Sequence, residues 1–196
     1  MKKIALTFDD GPYGKHKDKD AGGNYTNAAL QIFRNFNAQL RAIGQPPIVV
    51  TFYMQAAYIT KNPSTFNQVI QDGHEIANHA WIHDGWIPNK NVFMVSENQA
   101  FREFQKAHNE FAKYRVETTL FRPLCGRITE SLWAQIQQQY PQYRLAGWDY
   151  HPEKDSPAAF DIDFANRGPR DAAVYLLHEK KEGTLPKDFI GNRSLE

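Results

Sequence analysis

The chain carries a single cysteine, Cys125, in 196 residues. That excludes an internal disulfide and a thiolate zinc knuckle. An excess of one charge sign is also missing. With 23 basic and 22 acidic side chains the net charge is +1, which gives no electrostatic reason to expect nucleic acid or an anionic membrane as partner. No apolar run comes near the ~20 residues that span a bilayer, so no membrane span is expected. The MKKI start resembles the basic beginning of an export signal. Yet residues 5–8 run straight into two aspartates and leave no room for an apolar signal core. The compartment therefore stays open: cell envelope or exterior if a signal was trimmed, cytoplasm if the chain is native at Met1. Leu195-Glu196 reads as a vector remnant, so a truncated or tagged C-terminus is expected. Internal repeats and linkers are absent. The length suits one domain over 1–196 with a sizeable core, and nothing points to a protein partner.

Aromatic residues are plentiful at 13%, with four tryptophans. Most are expected in the core, although such faces also stack on sugar rings. Short apolar runs at 3–8, 48–53, 75–77, 119–122, 143–148 and 174–178 read as strands. Helical patterns fall between them. Thr26 is placed to cap a helix with Ala29, Ile32, Phe33, Phe36, Leu40 and Ile43 on one face, stopped by Gly44 and Pro46-Pro47. Pro63 opens a helix that runs to Gln71 and ends at Asp72-Gly73. Ser96 with Gln99 forms a capping-box pattern ahead of Phe101, Phe104, His108 and Phe111, and Thr129 starts a helix with Leu132, Trp133 and Ile136. Alternating strands and helices predict an α/β fold with parallel strands and outer helices. Fewer units are visible than the eight of a full barrel, so a smaller or irregular (β/α) barrel is expected, with its active rim at the strand C-termini.

Three distant pieces end on that rim: Asp9-Asp10 in TFDDGP, His79 and His83 in HAWIH, and His178 in VYLLH. Gly11-Pro12 can bend the chain so that both carboxylates enter one pocket, where one binds a cation and the other acts as a base. The alternative is a turn in which the aspartates cap backbone amides. The histidines are four apart and share a side if their segment forms a helical turn. Two imidazoles and a carboxylate leave metal positions open for water and substrate, as in catalytic sites. The alternative is two unrelated histidines. Arg122 in FRPLCG could hold an aspartate ionised, or form a surface ion pair. Cys125 reads as a small buried filler rather than a nucleophile. His178 is either a buried core histidine or a rim-facing proton donor. Lys15 to Asp20 (KHKDKD) is a charged loop, and Trp148 to Asp155 (WDYHPEKD) a loop that could supply a groove wall and a carboxylate for His178. Together the pieces point to metal-assisted hydrolysis.

In this order, TFDDGP, HEIANHAWIH, FRPLCG, a Trp/Asp loop and LLH, with Val50-Thr51-Phe52-Tyr53 and Asp72-Gly73-His74-Glu75-Ile76 between, the chain resembles the NodB-homology polysaccharide deacetylases, carbohydrate esterase family 4. The resemblance spans residues 4–179. It implies a distorted (β/α) barrel of about seven parallel strands. It also implies a metal held by Asp10, His79 and His83, most simply zinc, with cobalt, nickel or manganese as alternatives. Asp9 would be the general base, Arg122 its orienting partner and His178 the general acid. Leu176 would line the acetyl-methyl pocket, the Cys125 amide would face the oxyanion, and Trp148 would contact substrate. The substrate would be an N-acetylated, or less readily O-acetylated, glycan.

Some positions depart from the family pattern. Ala80 stands where Ser or Thr usually follows the first histidine, removing a hydroxyl that braces the loop. Leu124 and Cys125 replace a Pro and an aromatic. The late Asp-Trp pair is not clean, so Asp155 is the first choice as the His178 partner and Asp149 the second. The segment 12–24 looks long and could set substrate choice. Two other functions fit the same pieces: a non-catalytic carbohydrate-binding protein, and an amidohydrolase acting on a non-sugar amide.

Overall fold

The computed structural model describes residues 4–14, 25–82, 95–151 and 173–178. Among them the order is β1 (Ile4–Asp9), α1 (Tyr25–Ala42), β2 (Thr51–Met54), α2 (Ala56–Lys61), α3 (Pro63–Gln71), β3 (Glu75–Asn78), α4 (Glu97–Lys113), β4 (Leu120–Phe121), α5 (Glu130–Gln139), β5 (Arg144–Leu145) and β6 (Ala173–His178). A three-residue 3₁₀ turn, Leu124–Gly126, lies between β4 and α5. The strands form one sheet in the order β5-β4-β3-β2-β1-β6, and every pairing is parallel.

The sheet is curled into a half-barrel with helices, and the connectivity explains why. After β5, at one edge, the chain reaches Tyr150, which makes a parallel bridge to Tyr175 of β6 at the other edge. In a flat sheet with ~4.8 Å between strands, a residue one place beyond β6 would lie ~29 Å from β5. The five steps from Leu145 to Tyr150 reach at most ~18 Å. The sheet must therefore roll until its edges approach. Residues 146–150 form a strap across the gap, and Tyr150 stands where a seventh strand would be. The distorted barrel is thus borne out, with six strands among the described residues.

Side-chain alternation sorts each strand between the barrel interior and the helix layer. Phe8, Phe52, Met54, Ile76 and Leu177 point outward and pack with Leu30 and Phe33 of α1, Phe66 and Val69 of α3, and Phe111 of α4. A second cluster joins Phe101 and Phe104 of α4 to Phe121, Leu132, Ile136 and Tyr143. The alternate positions, Thr7, Asp9, Tyr53 and Leu176, face the interior.

Helix ends follow their sequence signals where the partners are local. Ser96 Oγ accepts from the Gln99 amide at 3.2 Å, and Thr129 Oγ1 from the Leu132 amide at 3.2 Å. Thr26 does not cap α1. It lies inside the helix, buried, with its Oγ1 accepting from the Tyr13 amide at 2.7 Å. Ile43, expected on the buried face, falls beyond the end of α1 and is 60% exposed. The pattern gave no sign of α2. Its first amides bond outside the helix, Ala56 to the Ala80 carbonyl at 3.1 Å and Ala57 to the Trp81 carbonyl at 2.9 Å.

Candidate active site

Asp9 is the last residue of β1 and faces the barrel interior. The next residue would ordinarily point away, but Asp10 has φ +81. That left-handed turn swings its carboxylate back to the same side. The turn is pinned from both ends of α2. Gln55 donates its backbone amide to the Gly11 carbonyl at 2.9 Å and its side-chain amide to Asp10 Oδ1 at 2.9 Å. Asn62 donates to the Pro12 carbonyl at 3.1 Å.

His79 follows β3 and is 2% exposed. Its Nδ1 lies 2.7 Å from the Arg122 carbonyl, which only accepts, so Nδ1 carries a proton. Nε2 then faces the carboxylates, 3.6 Å from Asp10 Oδ1 and 3.8 Å from Asp9 Oδ2. Both aspartates thus enter one pocket. Burial works against a charge on His79, but the Asp9 charge, the hydrogen bond and charge of Asp10, and the Arg122 carbonyl outweigh it and raise the imidazole above its ordinary value. The carboxylates thus favour a proton on Nε2. The expected helical turn after His79 does not form. Residues 79–82 are irregular, and Ala80 has φ +60 with its amide donated to Asn78 Oδ1 at 2.7 Å. That side-chain acceptor, with the two α2 amides, braces the loop where the sequence lacks a hydroxyl.

Arg122 is no surface partner. It is 0% exposed. Nη1 donates to Asp9 Oδ1 at 2.6 Å and to Thr7 Oγ1 at 2.9 Å, and Nη2 donates to the Gly147 carbonyl on the strap at 2.8 Å. Its guanidinium lies over the Tyr53 ring, 3.8 Å from the centroid, with the Trp148 ring 5.7 Å away. Burial pushes the Tyr53 hydroxyl up to about 12; the Arg122 charge opposes this, and Asp9 and Glu75 add to it. Two buried carboxylates face one buried guanidinium, and while the His79 imidazole is neutral the pocket is left a negative charge in excess among the described residues. Such a pocket calls for a cation.

Asp10 and His79 fit a divalent metal as donors. Two ligands ~2.1 Å from a common tetrahedral ion lie ~3.4 Å apart, close to the 3.6 Å seen between Oδ1 and Nε2. The Nδ1 bond to a backbone carbonyl is the outer contact that ordinarily orients a ligating imidazole. Among the described residues no group of three side chains is set to hold a metal. The expected third ligand, His83, lies outside them, as do Asp155 and the charged loop at 15–20.

His178 ends β6 in register with Asp9 and on the same face. Leu176, two residues back, is buried on that face too. The His178 ring lies 4.9 Å from that of His151, a buried residue at the end of the strap. Asp149, the second-choice partner, instead accepts from the Val174 amide at 2.8 Å, four residues before His178. Cys125 is not a buried filler: it is exposed, at φ +57. In its short turn Leu124 is the residue that enters the core. The six-membered ring of Trp148 crowds Gly126, where an added Cβ would overlap Cη2.

The sequence brought Asp9, Asp10, His79, Arg122, His178 and Leu176 to this rim. It did not single out Tyr53, Gln55, Asn78 or His151. Asn78 had one signal, a polar residue ending an apolar strand just before His79. Tyr53 had none beyond its place in the strand.

The family model for polysaccharide deacetylase matches residues 1–143. The chain belongs to the polysaccharide deacetylase family. A peptidoglycan-N-acetylglucosamine deacetylase of Bacillus cereus is 27% identical over 184 residues, covering 94% of this chain and 70% of its own length. The peptidoglycan-N-acetylmuramic acid deacetylase PdaC of Bacillus subtilis is 26% identical over 182 residues, 91% of this chain but 32% of PdaC. The solved structure of PdaC superposes with a TM-score of 0.69 at 22% identity, covering 93% of this chain and 77% of that one. A structure described as a family pseudoenzyme from Bacillus anthracis gives 0.67 at 17% identity, covering 93% and 57%. At these identities the structures establish the fold. Family membership and the named deacetylases make the chain a hydrolase of the polysaccharide deacetylase kind.

Proposed function

We propose that this deacetylase removes acetyl groups from an N-acetylated glycan, peptidoglycan first, with a divalent metal at Asp10, His79 and His83. The acetylated glycan is the only partner proposed. The metal is most simply zinc, with cobalt, nickel or manganese as alternatives. When bound, such an ion supplies Lewis acidity toward the acetyl carbonyl and lowers the pKa of water toward ~7.

The remaining chemistry belongs to the chain. Arg122 occupies Asp9 Oδ1, which leaves Oδ2, on the His79 side, to take the proton from the attacking water. The Cys125 amide donates to the oxyanion as it forms; one such donor is worth ~2.7–4 kcal/mol. His178, on the other side of Asp9 in the register, protonates the leaving amine. Leu176 packs against the acetyl methyl, and Trp148 walls the groove. Asp155 remains the carboxylate proposed for His178.

The observation that carries this reading is the buried Asp9–Arg122 pair set against a second carboxylate and an oriented imidazole. The test is acetate release from peptidoglycan, chitin and xylan fragments, with and without chelator. Release that chelator stops, that Asp9→Asn abolishes while metal stays bound, and that His83→Ala loses together with metal is expected. Chelator-resistant release, or full activity in His178→Ala, would overturn the assignments.

A further inference from the structure

Four residues form one row across the sheet. Ala77 of β3 pairs with Tyr53 of β2, Tyr53 with Asp9 of β1, and Asp9 with His178 of β6. Partners in register share a face, so all four point into the barrel. Arg122 starts just past β4, beyond Ala77, yet its guanidinium ends on Asp9. Ala77 adds no bulk to the path, and Tyr53 lies between start and end.

The in-plane contacts do not fully fix the guanidinium. Nη1 and Nη2 are bonded, but Nε is buried and has no hydrogen-bond partner among the described residues. A planar group anchored at one edge can still tilt about that edge. The surface that stops the tilt is the Tyr53 ring, 3.8 Å from Cζ, itself only 3% exposed. Trp148, at 5.7 Å, is too far for tight stacking.

We infer that Tyr53 is a positioning residue for the deacetylation: its ring face sets the plane of Arg122, and through Arg122 the direction of the Asp9 carboxylate. The inference rests on the proposed role of Asp9. The ring carries the effect, and the hydroxyl is dispensable. Because Asp9 acts in the chemical step, loosening it lowers kcat and spares KM.

The experiment compares Tyr53→Phe and Tyr53→Met, each alone and with Arg122→Lys, by kcat and KM for acetate release from N-acetylglucosamine oligomers. Tyr53→Phe is expected to keep kcat within about twofold, and Tyr53→Met to lose about tenfold with KM nearly unchanged, about 1.4 kcal/mol of barrier. With lysine, which has no plane to stack, Tyr53→Met should cost less than about twofold. Equal losses in both backgrounds, or a Phe variant as poor as the Met variant, would overturn the inference. A second measurement needs no Met variant to fold. In the wild-type protein the Arg122 Nε–H resonance, assigned by its loss in Arg122→Lys, should lie upfield under the Tyr53 ring current and stay there in Tyr53→Phe. An unshifted resonance refutes the stacking. A wild-type protein that releases no acetate from peptidoglycan, chitin or xylan fragments refutes the proposed function instead, and the resonance still reads the stack.

Discussion

Replacing Arg122 by Met is the sharpest test of the site, because its cost depends on burial. The guanidinium is 0% exposed and its partner Asp9 is buried beside it. An exposed pair is worth ~0–1 kcal/mol. Removing one partner of a buried pair strands the other charge away from water and costs ~3–5 kcal/mol. Met restores the volume of the stem but none of the three bonds to Asp9, Thr7 and Gly147. In a 196-residue chain each kcal/mol lowers Tm by ~2–4 °C, so Tm should fall by ~6–20 °C. The double variant Asp9→Asn/Arg122→Met strands no charge and should cost clearly less than the sum of the two singles. Urea unfolding in chelator, with midpoints compared at equal m-values, reads these costs without a contribution from bound metal. A loss below ~1 kcal/mol for Arg122→Met, or singles that add within ~0.5 kcal/mol, would refute the buried-pair reasoning.

Three other outcomes follow from the same geometry. Asn78→Ala leaves the buried Ala80 amide without its acceptor, so it should cost ~1–3 kcal/mol and weaken the metal binding proposed at His79, measured by calorimetric titration. His74 is held below its ordinary value by burial first, with Asp72 opposing and Arg34 adding. A lowered histidine gives stability that is full above its unfolded value near ~6.5 and is lost as pH falls through the folded value. The urea midpoint should therefore drop on acidification below ~6.5, and drop less in His74→Asn, which keeps an acceptor for the Val50 amide; an equal drop in both would contradict this. Gly126→Ala drives a Cβ into the Trp148 ring at φ +66, so kcat/KM on oligomers should fall further than on a monosaccharide substrate.

The parts of the fold that were legible in the sequence are those with local causes. Pro63 and Asp72-Gly73 delimit α3, and Ser96 and Thr129 cap α4 and α5, because each signal acts within one turn of chain. The strand ends were legible because apolar runs stop abruptly at Asp9 and His178. Features that depend on distant chain were not. Helix α2 leans on carbonyls of the His79 loop, and Thr26 serves a neighbouring turn rather than its own helix. Spacing alone made His79 to His83 look like a helical turn, but Ala80 lies at φ +60 and breaks it. Cys125 looked like core by composition, and its turn exposes it. The role of Tyr53 needed the sheet register and the curl together. No single-strand pattern carries either.

The fold by itself does not separate catalysis from binding, since it superposes on PdaC and on a pseudoenzyme almost equally well. The interior of the barrel favours the proposed catalysis. A protein that only held a glycan would need a groove and an aromatic wall such as the one proposed at Trp148. It would gain nothing from burying two carboxylates, a guanidinium and an imidazole together. Taking that many ionisable groups out of water works against folding. Sites that carry such a cost are where a charge is used. What the pocket holds ready is a carboxylate with one oxygen fixed and the other turned toward an oriented imidazole. That arrangement suits the proton transfer proposed for Asp9, and adhesion has no use for it.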